Sequence, residues 1–515
     1  MAIITDKLRL LNSSNFINDV ANGNYYMFVG FPNATSYYPS WDFSRPDPID
    51  NFYYLNSYRD NILGVKKITS TDVVRVIPKI VWSNGKKYEM YKHDYSVYNT
   101  TPVTGSTRLY DSLFYVMNSE YRVYICINNG STPSNNNTGV ISTQEPLHTD
   151  LTPKKESDGY IWKYLYTLFP ADVLKFDSTN FIAVPNNWTT TTNQEISRVR
   201  TNSVSGKIET ILVEYQGQYN YSGTLTNVPI RGDGTGGLAS ITFDDQSRPV
   251  SVQVTDGGSG YTFATLDLDS ILAPIGVNKA IFNVIIPPPG GHGANVYTEL
   301  GSYRVLVYSR IENDSTNPDF IVGNQFSRVG IIKDIRPNGV SDQNSTVFSE
   351  NSGSGVYALK LTTSTVTEPF DSKITQDNTN AVGNLVSFDT TTKVLKFIQP
   401  RTNFVDLYLN GENYNFDYNY ANSISGIQTS NTYKLEQFNS TTIKIGSNSY
   451  SVDSGFSGNS VDIGAVTYYL GQQFSGGLSS PDINIKSGEI IYVDNRESVT
   501  RSSQQREDIK IILEF

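Results

Sequence analysis

Few residues in this chain are of the types that break or make covalent bonds at neutral pH. It has three histidines, His93, His148 and His292, and one cysteine, Cys126. No histidine stands beside a Gly-x-Ser-x-Gly or His-Glu-x-x-His pattern, so a hydrolytic triad or a catalytic zinc has little to build from. His93 follows Tyr91 in an expected strand, as a surface or core partner, and His292 falls in a glycine-rich loop. Cys126 lies among Arg122, Val123, Tyr124, Ile125 and Ile127, a strand pattern in which it is expected to be a small buried apolar residue, not a reactive thiol. A single cysteine also excludes an intrachain disulfide.

Gly232, Gly234 and Gly237 have the spacing of a dinucleotide-binding turn. That chemistry needs a helix next, so that its amino terminus meets the pyrophosphate. The next residues are Leu238, Ala239, Ser240, Ile241, Thr242 and Phe243, the pattern of a strand, so no nucleotide site is expected. The tripeptide Arg231-Gly232-Asp233 has no further support, and Gly257, Gly258, Ser259 and Gly260 lack the aspartate of calcium-binding nonapeptides. Asp267 and Asp269 alternate on one strand face and could chelate a cation, although solvated carboxylates are the commoner case. A glycosidase needs two carboxylates roughly 5–9.5 Å apart; 50 acidic residues permit such a pair on paper, and sequence spacing does not place one. The expectation is therefore no catalytic residue, no cofactor, no metal ion and no small-molecule substrate.

These residues are carried by a chain of 515 residues, which suggests roughly three domains. Thirty-five Tyr and 24 Phe against 4 Met point to strands rather than helices. Lys plus Arg is 40 and Asp plus Glu 50, a net charge of −10, which offers nothing to a phosphate backbone, so nucleic-acid binding is not expected. Residues 1–11 carry Asp6, Lys7 and Arg9 inside any apolar core, unlike a secretory signal, and no uncharged apolar run reaches the ~18 residues of a membrane helix. A soluble chain made in a reducing cytoplasm, with no membrane insertion, is expected.

The fold class expected is mainly β: several antiparallel sandwich- or barrel-like modules, with a short amino-terminal helix and few others. Thr5 can cap that helix, with Leu8, Leu11 and Phe16 on one face. Strands are expected at 25–31 and 72–82, where Pro78 argues for an edge or a bulge. Asn84-Gly85 should turn a hairpin between Val81-Trp82 and 88–91, and residues 118–120 another between 114–117 and 121–127. Residues 131–153 form a loop leading to the turn Asp158-Gly159. Beyond it Tyr160, Trp162, Tyr164 and Tyr166 alternate with Ile161, Lys163 and Leu165, a strand ended by Pro170 and followed by a short helical step at 172–176. From 203 to 289 the texture becomes glycine-rich: a strand, a glycine turn and Tyr219 are followed by a second strand, glycine turn and Tyr261, an internal duplication. The prolines at 287–289 close this module. The main body resumes at 290–337, a second insert rich in Ser, Thr and Asn spans 338–477, and 478–515 supplies closing strands. In the second insert 386–389 and 394–398 form a hairpin, with further strands at 406–409, 443–445 and 466–470. Asp494, Asn495 and Arg496 should turn between a strand at 489–493 and a terminal strand at 508–515. That last strand must be tied into a sheet, because a free apolar terminus frays.

The stretch 157–176, with Asp158-Gly159 and its aromatic ladder, resembles a segment of the baseplate wedge protein of T-even-type contractile-tailed bacteriophages, the gene-product-eight type. The ending is similar to the end of the same family, through Ser487, Gly488, Glu489, Ile490, Ile491 and Tyr492, then Asn495-Arg496, then Glu507, Asp508, Ile509, Lys510 and Ile511. The two segments stand in the family's order. The resemblance covers residues 1–202 and the carboxyl-terminal segment, and departs at the two inserts, although glycine modules like 232–236 look like ones that recur in phage tail and baseplate proteins. It implies a β-rich, homodimeric structural subunit without catalytic role. Such a subunit assembles with other wedge subunits in the virion, is made in the bacterial host cytoplasm, and rearranges on tail contraction. Trp41, Phe43, Tyr53 and Tyr54, in an aromatic loop at 31–59, and Arg496 are the candidate assembly surface, unless they fill a local core. The alternative is a tail-associated glycan-binding or depolymerase protein, since Tyr- and Asn-rich β proteins bind sugars on aromatic faces.

Overall fold

The computed structural model describes residues 3–31, 41–312, 325–340, 344–379, 381–399, 437–500 and 506–515. The chain is mainly β, with many antiparallel strand pairs and five α-helices among the described residues. It forms two compact units, one of 1–17, 74–307 and 511–515, the other of 18–73 and 308–510. These breaks fall elsewhere than the composition shifts at 203, 290, 338 and 478. The glycine-rich module lies wholly within the first unit, and the strand Ser352–Ser354, in the expected second insert, is an edge of the second unit's five-stranded sheet.

In the first unit the aromatic ladder becomes the strand Tyr160–Thr167, flanked by Arg122–Asn129 and the short strand Lys154–Lys155. Both of its faces are packed: Tyr160, Trp162, Tyr164 and Tyr166 are buried, and so are Lys163 and Leu165. Tyr160 and Trp162 stack at 5.3 Å with planes 9° apart, and Tyr88 meets Trp162 edge-on at 5.9 Å. Such aromatic pairs add about 0.5–1.5 kcal/mol to their area burial. The placement expected for this strand, between the amino-terminal hairpins and the carboxyl-terminal strands, holds only for the hairpin side. Instead Glu507–Glu514 belongs to a separate sheet, in the order Glu507–Glu514, Arg304–Ile311, Val73–Pro78, Phe181–Val184. The terminal strand is tied in as expected, through a different neighbour.

Several local expectations hold. Tyr115–Met117 pairs with Arg122–Asn129 across the 118–120 turn, Pro170–Phe176 is a helix, and Thr5 Oγ1 accepts the Leu8 N–H at 3.3 Å at the start of the helix Asp6–Asn22. Others are corrected. Leu8 and Leu11 are exposed, and the side chain buried from that helix's first turns is Ser13. Pro78 is the last residue of an interior strand, opposite Phe181, and not an edge or a bulge. The Asn84-Gly85 turn forms, but 88–91 is not a strand. There the Tyr88 N–H donates to the Tyr160 hydroxyl (3.0 Å), Glu89 N–H to Leu113 O (3.1 Å) and Tyr91 N–H to Cys126 O (2.8 Å). Asp494, Asn495 and Arg496 lie inside one strand, Glu489–Thr500, because that strand continues its pairing along Gln325–Lys333 instead of turning back.

The glycine-rich module has a sheet in the order Pro249–Ser259, Thr235–Phe243, Gly223–Gly232, Ala264–Leu266, and a separate pair Ile211–Tyr215 with Ile281–Val284. Tyr219 and Tyr261, the two tyrosines of the duplication, share its core. The glycines make room for Tyr261. A Cβ on Gly234 would lie 2.5 Å from the Tyr261 ring and 2.5 Å from Ser259 O, and one on Gly237 would lie 2.8 Å from the Tyr261 hydroxyl. That hydroxyl donates to Ile230 O at 2.9 Å and accepts Gly237 N–H at 3.1 Å.

In the second unit the five-stranded sheet runs Ser352–Ser354, Ile62–Ile68, Tyr25–Gly30, Gln325–Lys333, Glu489–Thr500. A seven-stranded sheet contains the expected hairpin, Ala381–Asp389 with Val394–Ile398, and also Ile443–Ile445; Val466–Phe474 pairs with Gly458–Ile463. The strand expected at 406–409 lies outside the described residues.

Gly234→Ala should destabilise the module by about 1–3 kcal/mol, the usual range for overpacking a filled core. Hydrogen exchange of amides 223–266 should accelerate while 160–167 stays protected. Unchanged exchange in the module would refute the seat assigned to Tyr261.

Candidate assembly surface

Residues 41–60 of the second unit are held by a buried arginine. The Arg328 guanidinium lies 4.3 Å from the Tyr58 ring centroid and 5.7 Å from that of Trp41. Its Nε donates to Asn495 Oδ1 at 2.8 Å, and Asn495 Nδ2 donates to Pro46 O at 2.8 Å. Burial lowers the Arg328 pKa to about 10, still a cation at neutral pH, and the two ring faces stabilise that charge. Trp41 Nε1 donates to Arg496 O at 2.8 Å, and Asp42 Oδ1 accepts the Ser498 N–H at 2.9 Å, a bond that holds the Asp42 carboxyl below its usual range. Within the expected loop, Phe52–Asp60 is a helix, capped by the Asn51 side chain accepting Tyr54 N–H at 2.9 Å.

The five candidate residues therefore part company. Trp41 is only 6% exposed and is an internal anchor, so its expected surface role is corrected. Arg496 meets Trp41 through its backbone, while its side chain is exposed and pairs with Asp494 at 2.7 Å. Tyr54 is half-buried against Tyr53, with ring centroids 5.2 Å apart. Phe43 at 95% and Tyr53 at 45% face outward, joined by Phe52 at 90%. Phe52 was visible in the sequence as part of the aromatic run, but only the helix shows that it points away from the core. Exposed large aromatics of this kind are the residues that anchor protein interfaces.

The chemistry-bearing residues are engaged elsewhere. His292 Nδ1 and Glu299 Oε1 are 2.6 Å apart and buried, Glu299 Oε2 accepts Gly293 N–H at 2.7 Å, and the Tyr91 ring meets His292 edge-on at 4.7 Å. His93 Nδ1 accepts Ile286 N–H at 3.2 Å, and burial lowers the pKa of His93 and of His148. Cys126 is buried as expected, its thiol pushed well up by desolvation. Gly232, Gly234 and Gly237 lie at a strand-to-strand turn where Asp233 accepts Thr262 N–H at 2.8 Å and Phe263 N–H at 3.2 Å; together with the Thr262 hydroxyl, these bonds lower its pKa to about 2. Asp267 faces Arg231 at 3.3 Å and Asp269 faces Lys279 at 2.8 Å, so the two carboxylates serve separate ion pairs. Among the described residues no three His, Cys, Asp or Glu side chains converge as a metal site, and no helix is long and apolar enough to cross a membrane.

No protein-family model matches this sequence, and no curated protein is found similar to it.

Sequence reasoning passed over Lys396. It lies buried in the strand Val394–Ile398, and its signal was a single cation in an otherwise apolar run. Desolvation lowers its pKa to about 7, against the opposing pull of the Asp482 charge. An unfolded lysine titrates at roughly 10.4. Between those values the unfolded chain holds a proton that the folded chain releases, so stability falls as pH drops from about 10.4 towards 7. Below that both states are protonated and the effect is constant. Denaturation between pH 7 and 10 should show this slope, at most about 1.4 kcal/mol per pH unit. Lys396→Met should remove it and raise stability at pH 7; parallel profiles for the two proteins would refute the shift.

Proposed function

We propose that this chain is a structural subunit of a phage tail baseplate wedge. On this reading it assembles with other wedge subunits and with a second copy of itself in the virion, and supports the baseplate's rearrangement when the tail contracts. It has no catalytic role. It is made in the bacterial host cytoplasm. The observation that carries the reading is the resemblance of two separated segments, 157–176 and the carboxyl-terminal ending, to one family in the family's order.

The architecture supports the reading. The first segment supplies an interior strand of an aromatic core, and the second supplies Glu489–Thr500 and Glu507–Glu514, each paired into a sheet. Both segments are framework. The exposed rings of Phe43, Phe52 and Tyr53 are those through which we expect a wedge partner to dock. Stable interfaces commonly bury roughly 1,200–2,000 Å² in total and concentrate their energy in a few aromatic or arginine anchors.

Electron microscopy of the assembled tail should locate this subunit in the baseplate; finding it elsewhere in the particle would overturn the proposal. In reconstituted wedges, Phe43→Ala with Phe52→Ala should weaken assembly at least tenfold while leaving the melting profile unchanged. Trp41→Ala should instead lower stability, by about 3–5 kcal/mol. Undiminished assembly by the double variant would remove this surface from the interface.

A further inference from the structure

The first unit contains a cleft of about 700 Å³ that the assembly reading does not use. Ligand clefts commonly span roughly 300–1,000 Å³. One wall is the outer face of the strand Pro249–Ser259. Along it Ser251, Gln253 and Thr255 are exposed and line the cleft, and the half-buried Val250, Val252 and Val254 line it as well, the last two also packing on the module core. The polar residues form a row of hydrogen-bonding side chains, in which Thr255 Oγ1 already donates to Leu238 O at 3.1 Å and is left as an acceptor. Further wall comes from the Thr132-Pro133 turn and from Lys155 and Lys207.

The charge of this cleft runs against that of the chain. Its two carboxylates are already engaged. Asp158 accepts from Thr143 N (2.8 Å), Gln144 N (3.0 Å), Tyr160 N (3.1 Å) and Ser142 Oγ (3.1 Å), and Glu209 lies 3.3 Å from Lys163 with both side chains buried. Lys155 and Lys207 have no carboxylate partner among the described residues. Lys163 offsets Glu209, so Lys155 and Lys207 stand against the one remaining carboxylate, Asp158, a small local excess of positive charge on a protein of net charge −10. Lys207 is also positioned: its stem crosses Gly257, where an added Cβ would come within 2.7 Å of Lys207 Cγ and 2.3 Å of Ile208 O.

We infer that this cleft binds an acidic oligosaccharide. The two ammonium groups pair with its carboxylates, and Ser251, Gln253 and Thr255 bond its hydroxyls. The lining holds no aromatic side chain, so stacking on a sugar face contributes nothing and the charges carry the affinity. An extended acidic peptide fits less well. Peptides that join a sheet need an open strand edge, and this strand is pinned at both ends of its outer edge. Gln216 Nε2 donates to Pro249 O at 2.9 Å, and Ile208 N–H donates to Gly257 O at 2.9 Å.

The test is calorimetric titration of the full chain with a galacturonate hexamer, a neutral maltohexaose and a hexaglutamate peptide at low and high salt. The uronate should bind at least tenfold more tightly than either control, and its affinity should fall as salt rises. Lys155→Gln with Lys207→Gln should weaken it at least tenfold, and Gln253→Ala should weaken it without altering the salt dependence. No uronate binding, or binding indifferent to the double lysine variant, would overturn the inference. Hexaglutamate binding as tightly would overturn it in favour of an acidic peptide. The lysine variants leave Phe43 and Phe52 untouched, so wedge assembly measured on the same proteins separates this outcome from the fate of the assembly proposal.

Discussion

A buried tyrosine brings its own constraint: the ring gains by leaving water, but the hydroxyl must find a partner or cost about 1–3 kcal/mol. This chain meets that constraint by tying hydroxyls to the backbone of loops and strand ends. Tyr160 donates to Val140 O (2.8 Å), Tyr124 to His148 O (2.6 Å), Tyr115 to Pro78 O (2.7 Å), Tyr166 to Ala183 O (3.1 Å) and Tyr297 to Pro185 O (2.8 Å). In the second unit Tyr26 reaches Phe348 O at 2.9 Å. Burial pushes the Tyr115, Tyr124 and Tyr160 phenols far above their ordinary range, so these groups remain neutral donors at any physiological pH. Each phenol therefore does two jobs, filling a core and tying its hydroxyl to the backbone of another segment, a loop for Tyr160 and Tyr124 and a strand for Tyr115 and Tyr166.

That constraint also decides what the sequence could reveal. Tyr160–Thr167, the 115–129 hairpin and Glu507–Glu514 were legible because period two in aromatic and β-branched residues is a local signal. The segment 88–91 carries the same signal and is not a strand. Its backbone bonds go to Leu113, Cys126 and the Tyr160 hydroxyl, partners that lie 24 or more residues away. Arg496 misled in the opposite sense. Asp494-Asn495 has turn composition, yet Asn495 is spent on Arg328 and Pro46 inside a long strand. The glycines at 232–237 were legible as unusual, but their reason, the ring of Tyr261, lies in a strand-end turn that no spacing rule connects to them.

The candidate surface shows the same division between type and placement. The aromatic composition of 41–54 was plain, but which ring is anchor and which faces water depends on Arg328, whose cation between Trp41 and Tyr58 pulls Trp41 inward. Among 40 basic residues nothing in sequence marks that one as buried. Ser251, Gln253 and Thr255 were legible as the polar half of an alternating strand. Their association with Lys155 was not, because it requires the module to close against the 131–155 region.

Several of the groups that could do chemistry help to hold the fold, and this follows from how a β-rich chain of this composition makes its connections. With few long helices, many loop carbonyls and amides lack regular partners, and His93, Glu299, Asp158 and Asp233 satisfy them. A side chain spent in this way is held in a fixed orientation by the amide it accepts from. The described surface also retains Lys, Ser, Thr and Gln side chains, carboxylates such as Asp377 and Glu497, and aromatic rings such as Phe43 and Phe52. Exposed rings occur in both units, Phe43 and Phe52 in the second and Tyr98 and Phe263 in the first, while the lysine-edged cleft belongs to the first.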